Sequence, residues 1–296
     1  MQTEEITSTQ NPKIKQIVAL MEKARERHSS NLFVVEGVRE VTACLCNNYI
    51  AEALYFAPEI AGAEMERLPQ LAAALQRLPY RPKVFSLSNA AYAKVAYREG
   101  TEGVLAVVRQ RNLTLQELSQ ALYGTSAAES SAKYALTAEG RAPLILVCEG
   151  IEKPGNIGAM LRTADACGTD ALILCNSRCD LFNPNLIRAS LGSLFTQRVI
   201  SCTSREAGEW LLERGFQILT AQLQDSSYYY NIDMTLPTAI VMGSEAEGLT
   251  NYWREISTAK IKIPMLGQMD SLNVSVSAAV LCYEALRQRQ NGESRK

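Results

Sequence analysis

From residue 143 onward the chain is punctuated by short runs that are apolar almost throughout. Leu144-Ile145-Leu146-Val147-Cys148 is the clearest, and Ala171-Leu172-Ile173-Leu174-Cys175 and Ala239-Ile240-Val241-Met242 repeat the pattern. A strand with one face in water alternates apolar with polar residues. A strand that does not alternate is covered on both faces, which is the condition of a parallel sheet between two layers of helix. Residues 198–201, 216–220 and 260–263 read as further strands. Helical stretches fall between the strands, at residues 157–167, 186–191, 205–214 and 274–289. Strands alternating with helices predict an α/β domain. No G-x-G-x-x-G and no P-loop follows any of these runs, which excludes a dinucleotide fingerprint and a nucleoside-triphosphate cradle.

The first half repeats the alternation on a smaller scale. Residues 12–28 place Ile14, Ile17, Val18 and Met21 on one helical face. Leu32-Phe33-Val34-Val35 reads as a strand, and Glu36-Gly37 opens a helix through Val41 and Leu45. Residues 53–56, 83–85 and 103–108 read as strands, with a Leu/Ala-rich helix near 65–77. Gly124-Thr125-Ser126-Ala127-Ala128-Glu129-Ser130-Ser131 is small and polar, as linkers are. A chain of 296 residues suits two domains. The expected division is a small α/β domain at 1–110, a linker at 111–142 in which 113–122 reads as a helix, and a second domain at 143–296.

Hydrophobic residues are 47% and charged residues 21%, ordinary values for a globular protein. No apolar run approaches the roughly 18 residues of a membrane span. The polar, acidic start Met1-Gln2-Thr3-Glu4-Glu5 is unlike a secretory signal, so the 8 cysteines read as reduced thiols of a cytoplasmic protein. Cys44 and Cys46 are too close on a helix to share a face, and Cys175 and Cys179 have no second pair to complete a zinc site, so no metal is expected. His28 is the only histidine and reads as solvent-facing, which leaves no Ser-His-Asp triad. Net charge is −1, with 13 Lys+Arg against 12 Asp+Glu in residues 1–110 and 17 against 19 in the remainder. Nucleic-acid binding would therefore draw on local clusters such as Lys13, Lys15, Lys23, Arg25 and Arg27, or on a dimer surface.

Three stretches join an apolar run to Gly and small polar residues. They are Asn156-Ile157-Gly158-Ala159-Met160-Leu161-Arg162-Thr163-Ala164-Asp165, then Met242-Gly243-Ser244-Glu245-Ala246-Glu247-Gly248-Leu249, then Ile263-Pro264-Met265-Leu266-Gly267 leading to Ser271-Leu272-Asn273-Val274-Ser275. This is loop chemistry at the carboxyl edge of a parallel sheet, where α/β proteins hold ligands. From the residues alone, Asn156 reads as the N-cap of the helix that follows it and Ser271 as a cap of the last helix. Glu247 reads as solvent-facing. Tyr228-Tyr229-Tyr230 reads as packed against the second domain, with stacking on bases the alternative. Tyr92, Tyr97 and Arg98 carry the same alternative.

In order and spacing the three stretches resemble the motifs of the SpoU (TrmH-like) RNA ribose 2′-O-methyltransferases, with the likeness running over about residues 143–290. Residues 11–45, notably Asn11-Pro12-Lys13-Ile14-Lys15 and Phe33-Val34-Val35-Glu36-Gly37, are similar to an N-terminal substrate-binding domain of the ribosomal protein L30e type. The resemblance implies an α/β fold in which a SPOUT domain with a deep trefoil knot follows a small L30e-like domain. It implies methyl transfer from S-adenosylmethionine to a ribose 2′-hydroxyl in RNA, ribosomal RNA before transfer RNA, by a homodimer joined through the C-terminal domain. It implies catalytic roles for Asn156, Arg162, Glu245, Ser271 and Asn273. It implies cofactor contacts at Met242, Gly243, Ile263, Leu266, Gly267 and Leu272. Arg162 would activate the 2′-hydroxyl; since a guanidinium is protonated at neutral pH, its physical role is to hold phosphate and steady oxyanion charge. The alternatives are a transfer-RNA ribose methyltransferase and a non-catalytic RNA-binding or ribosome-assembly protein, with base methylation ranked below both.

Overall fold

The computed structural model describes residues 4–61, 68–97, 102–124, 136–268 and 271–293. The chain forms two compact units, Met1–Arg111 with Asp180–Thr196 and Asn112–Cys179 with Gln197–Lys296.

The first unit opens with β1 (Glu4–Ile6), a short strand hidden in sequence by its acidic residues. Residues 12–28 form two helices, α1 (Pro12–Glu22) and α2 (Ala24–Ser30), parted at Lys23, whose backbone is extended. The Asn11 side chain accepts from Lys13 N and Pro12 takes the first helical position, so Asn-Pro sets the start of α1. Then come β2 (Leu32–Glu36), α3 (Val38–Cys46), β3 (Ala51–Phe56), α4 (Pro58–Ala61), α5 (Leu68–Arg77), β4 (Lys83–Leu87), α6 (Asn89–Val95) and β5 (Val104–Arg109). The strands pair in the order β1-β4-β3-β5-β2, with β5 antiparallel to both its neighbours and the other pairs parallel. Ile14, Ile17, Tyr55, Phe85 and Leu105 fill one core of this unit.

The second unit begins with α7 (Leu115–Tyr123), started by a capping box of Thr114 and Glu117. Leu118 and Leu122 of α7 are buried in the core of this unit, so the expected linking helix is part of the folded domain. Residues 125–135, the Ser/Ala-rich part of the expected linker, lie outside the described residues. There follow β6 (Leu144–Glu149), α8 (Pro154–Cys167), β7 (Ala171–Cys175), α9 (Pro184–Ser190), α10 (Ser193–Thr196), β8 (Val199–Cys202), α11 (Ser204–Glu213), β9 (Gln217–Ala221), β10 (Ser227–Tyr228), β11 (Thr238–Met242), α12 (Asn251–Ile256), β12 (Ala259–Lys262) and α13 (Val274–Glu293). The sheet runs β10-β12-β9-β11-β6-β7-β8 with every pair parallel, as the continuous apolar runs require. All residues of β6, β7 and β11 are buried. At the far end of α13 the Arg289 guanidinium donates to Ala142 O, Pro143 O, Met234 O and Leu236 O, tying that helix to the starts of β6 and β11.

The segment Asp180–Thr196, placed by sequence in the second domain, packs with the first unit. Phe33 of β2 meets Phe182 with ring centroids 4.4 Å apart and Phe195 at 6.2 Å. Arg27, 2% exposed, donates to Leu20 O at 2.6 Å and to the Asp180 carboxylate at 2.6 Å. The apolar pattern shows that α9 and α10 are buried, but not which core buries them.

Two of the aromatic expectations differ from the structure. Tyr228 and Tyr230 are 41% and 49% exposed rather than packed. Tyr92 is buried in the first core, and Arg98 lies outside the described residues.

Candidate active site

The sheet order reverses direction between β6 and β11. From β6 the chain continues to β7 on one side, whereas from β11 it continues to β12 beyond β9 on the other. Loops leaving such a pair diverge and open a crevice at the carboxyl ends of the strands. Residues 150–153 leave β6 there and residues 243–249 leave β11.

The loop after β11 turns back on itself. Gly248 N donates to Ser244 O at 3.0 Å, and Glu247 N donates to the Ser244 hydroxyl at 3.1 Å. A Cβ on Gly243 would lie 2.4 Å from the Gly248 carbonyl carbon, so only glycine lets the two backbones meet. The loop's far end is pinned from below. Glu149, 3% exposed at the end of β6, accepts from Thr250 N at 2.8 Å, Thr250 Oγ1 at 2.9 Å and Ser204 Oγ at 2.6 Å. Asn176 adds a bond to Ser204 at 2.9 Å. One buried carboxylate thus joins the ends of β6 and β7 to the starts of α11 and α12.

Asn156 is not a cap. Helix α8 starts at Pro154, three residues earlier than expected, and Asn156 lies in its first turn. Its amide is therefore free to reach across the crevice, where Nδ2 donates to Glu245 Oε1 at 3.0 Å. The cap of α13 is Asn273, not Ser271: its Oδ1 accepts from Ser275 N at 3.0 Å and from the Ser275 hydroxyl at 2.6 Å. With its oxygen committed to the helix, Asn273 presents its Nδ2 to Glu245 Oε1 at 3.0 Å and to Asn156 Oδ1 at 3.2 Å. Lys153 binds the other Glu245 oxygen. The Lys153 ammonium first, and then the Asn156 amide, hold the Glu245 carboxyl below its ordinary range. A carboxylate so held is a poor proton acceptor and a good anchor. It fixes two amides and an ammonium from two separate stretches of chain.

Two clefts flank this cluster. One, of about 440 Å³, is lined by Met242, Gly243, Ile263, Leu272, Gln222 and Arg254 among others. The second, of about 310 Å³, is lined by Gly150–Lys153 and Asn156. Ser244, Glu245, Ala246 and Val274 line both, so Glu245 stands on the wall between them. The larger cleft has the size of a small-molecule site and an apolar wall from Ile263, Met265 and Leu272. Two residues on its wall have polar atoms, Gln222 Oε1 and Arg254 Nε, that are buried without a partner among the described residues. An acceptor and a donor left unsatisfied beside an apolar slot suit a ligand that joins a nucleoside to an amino acid, as S-adenosylmethionine does.

The other expected residues fall outside this constellation. Leu266 is 98% exposed, and neither Leu266 nor Gly267 lines either of these two clefts. Ser271 is exposed and lines the larger cleft. Arg162 is exposed on α8 and lines neither cleft. It lies six residues beyond Asn156, about 240° further around the helix. His28 and Glu247 are exposed, as expected. Lys153 and Glu149 were missed as site residues. The stretch Glu149-Gly150-Ile151-Glu152-Lys153-Pro154 was the only signal, since both flank the turn from β6 into α8.

Comparison with known proteins agrees with this geometry. Residues 143–283 match the SpoU rRNA methylase family, and residues 11–106 match an MRM3-like substrate-binding domain. A Staphylococcus saprophyticus protein whose name assigns it to the TrmH family of tRNA/rRNA methyltransferases is 34% identical over 153 residues, 51% of this chain and 61% of that one. A 23S rRNA uridine 2′-O-methyltransferase of Streptomyces viridochromogenes is 35% identical over 147 residues, 48% of this chain and 51% of that one. The chain thus spans only about half to three fifths of these curated relatives. A crystal structure of an RNA 2′-O ribose methyltransferase is 33% identical, with a TM-score of 0.75, and the likeness covers 97% of this chain and 99% of that one. Three dispersed motifs meeting at one sheet edge are what relatedness along the whole length predicts, and the chain belongs to the SpoU methylase family.

Proposed function

We propose that the protein methylates a ribose 2′-hydroxyl of RNA, ribosomal RNA in preference to transfer RNA, with S-adenosylmethionine as donor. The observation that carries this reading is the position of Glu245, which ties Asn156, Asn273 and Lys153 together on the wall shared by two clefts. When bound, the cofactor supplies an activated methyl group. The larger cleft holds it, with Met242, Gly243, Ile263 and Leu272 as its wall. The smaller cleft admits the ribose. Lys153 and the two amides orient the acceptor oxygen against the methyl carbon, and alignment of this kind supplies much of such a barrier's lowering. The MRM3-like unit and the ribosomal RNA relative support an RNA substrate of ribosomal type.

The reading includes a second copy of the chain. Leu272, just ahead of α13, and Val276 and Tyr283, seven residues apart on it, are 43%, 48% and 49% exposed. Helix α13 packs against α8, which carries the exposed Arg162. Exposed apolar residues on one helix and an exposed arginine on the helix it packs against suit a homodimer in which Arg162 serves the partner's cleft. The family's trefoil knot, threaded through the segment carrying the last two motifs, belongs to the same reading.

The test incubates the protein with labelled S-adenosylmethionine and separate pools of unmodified ribosomal and transfer RNA. Label in alkali-resistant dinucleotides marks a blocked 2′-hydroxyl, and the labelled pool names the RNA. Label on a base overturns ribose transfer. Arg162→Ala is expected to lower the methylation rate about 100- to 1000-fold, as loss of an oxyanion donor does. Cofactor affinity should stay within a factor of two; an unchanged rate removes Arg162 from the reaction.

A further inference from the structure

The sheet's β10 edge carries an aromatic feature that the methyl-transfer site does not use. Strand β10 pairs with β12 so that Tyr228 stands beside Lys262. The chain then turns through a 3-10 helix at Tyr229–Asn231. That turn brings Tyr230 onto Tyr228 with ring centroids 5.4 Å apart and planes within 17°. Tyr229 meets Tyr230 edge to face at 5.2 Å. The Lys262 ammonium lies over the Tyr228 ring, 5.4 Å from its centroid. Both stacked rings are open to solvent at 41% and 49%. Lys262 also lines the larger cleft, as does Leu223, which is 52% exposed. A column of two parallel rings and a cation therefore begins at the mouth of the cleft and runs out to the edge of the sheet.

We propose that Tyr228, Tyr230 and Lys262 form a stacking platform for unpaired bases of the RNA substrate. A base is a flat ring that extends such a column by one more layer, and the phosphate beside it meets the ammonium. Neither feature discriminates sequence, so the platform grips single-stranded RNA by ring and charge. A duplex, whose bases are already stacked on each other, does not use it. The strand β10 is only two residues long, which offers a peptide almost no edge to pair with. Continuity through Lys262 with the cleft that holds the methyl donor favours RNA over a protein partner, because the reacting RNA has to lie against that cleft. The proposal rests on RNA being the substrate and adds where an unpaired stretch of it is held.

The experiment uses the full chain and two fluorescein-labelled probes, a mixed-sequence RNA 20-mer and the same strand annealed to its complement. Tyr228→Ala with Tyr230→Ala is expected to weaken single-strand binding about 10- to 100-fold and duplex binding less than twofold. Tyr228→Phe with Tyr230→Phe keeps the rings and should bind as wild type. Lys262→Gln should lower the slope of log affinity against log salt by about 0.7. Cofactor affinity and sedimentation should be the same for wild type and the alanine pair. Single-strand affinity unaltered in the alanine pair, with the cofactor still bound, overturns the platform alone. A changed oligomeric state overturns it in favour of an interface between copies of the chain. Wild type that binds neither probe overturns the RNA reading beneath it.

Discussion

Glu245 owes its low pKa first to Lys153 and then to Asn156. A carboxyl with a lowered folded pKa contributes above its unfolded value, and that contribution is lost as pH falls through the folded one. The cluster is therefore intact across neutral pH and comes apart only in acid. Lys153→Met removes the larger cause, so the acid limb of the pH–rate profile should move towards neutrality while the plateau falls less than the limb shifts. A limb that stays in place would show that something other than Lys153 holds the carboxylate. Asn156, Glu245 and Asn273 were legible as motifs, but Lys153 and the geometry of the cluster were not. Asn156 followed by an apolar helical face has the pattern of a cap, and Pro154, which is suited to a first helical position, is what moves the helix start upstream. Ser271 and Asn273 are equally good caps by type, and only the backbone path decides that Asn273 takes the role.

At the scale of elements, the loop from Gly243 to Thr250 is held at both ends. Gly243 presses on Gly248, and Glu149 holds Thr250. Replacing Glu149 by Ala takes the acceptor from the part-buried Thr250 amide and hydroxyl and from the buried Ser204 hydroxyl, which keeps its bond to Asn176. A buried polar group left unsatisfied costs about 1 to 3 kcal/mol. Urea unfolding of Glu149→Ala should show a loss of roughly 2 to 4 kcal/mol, together with weaker cofactor binding. Glu149→Gln, which keeps one acceptor, should lose less, and equal losses for both would mean that the charge rather than the bonding matters. The long strands were legible because burial on both faces writes itself as an unbroken apolar run. Three elements lacked such a signature. Strand β1 is acidic at two of its three positions, β10 is two residues at an exposed edge, and α12 hides its single buried residue, Trp253, among polar neighbours. The break at Lys23 was also invisible, because Ile14, Ile17 and Leu20 keep helical spacing up to it.

For the molecule as a whole, the exposure of Leu272, Val276 and Tyr283 predicts self-association. Val276→Glu places a charge among these residues and should yield a species of half the wild-type mass by sedimentation, with methylation reduced at least about 10-fold. A dimer that survives the charge would move the interface elsewhere. The division into units has another outcome, which concerns time rather than space. The sheet of the first unit is complete at Arg109, yet Phe33 obtains Phe182 and Phe195 as neighbours only once Thr196 has been made. Arg27 likewise waits for Asp180. On a ribosome adding about 5 to 20 residues each second, that interval is on the order of 4 to 18 s. During it the nascent first unit has an open aromatic face and an uncompensated guanidinium. The chain's birth thus includes a window in which Phe33 and Arg27 lack partners that they have in the finished protein.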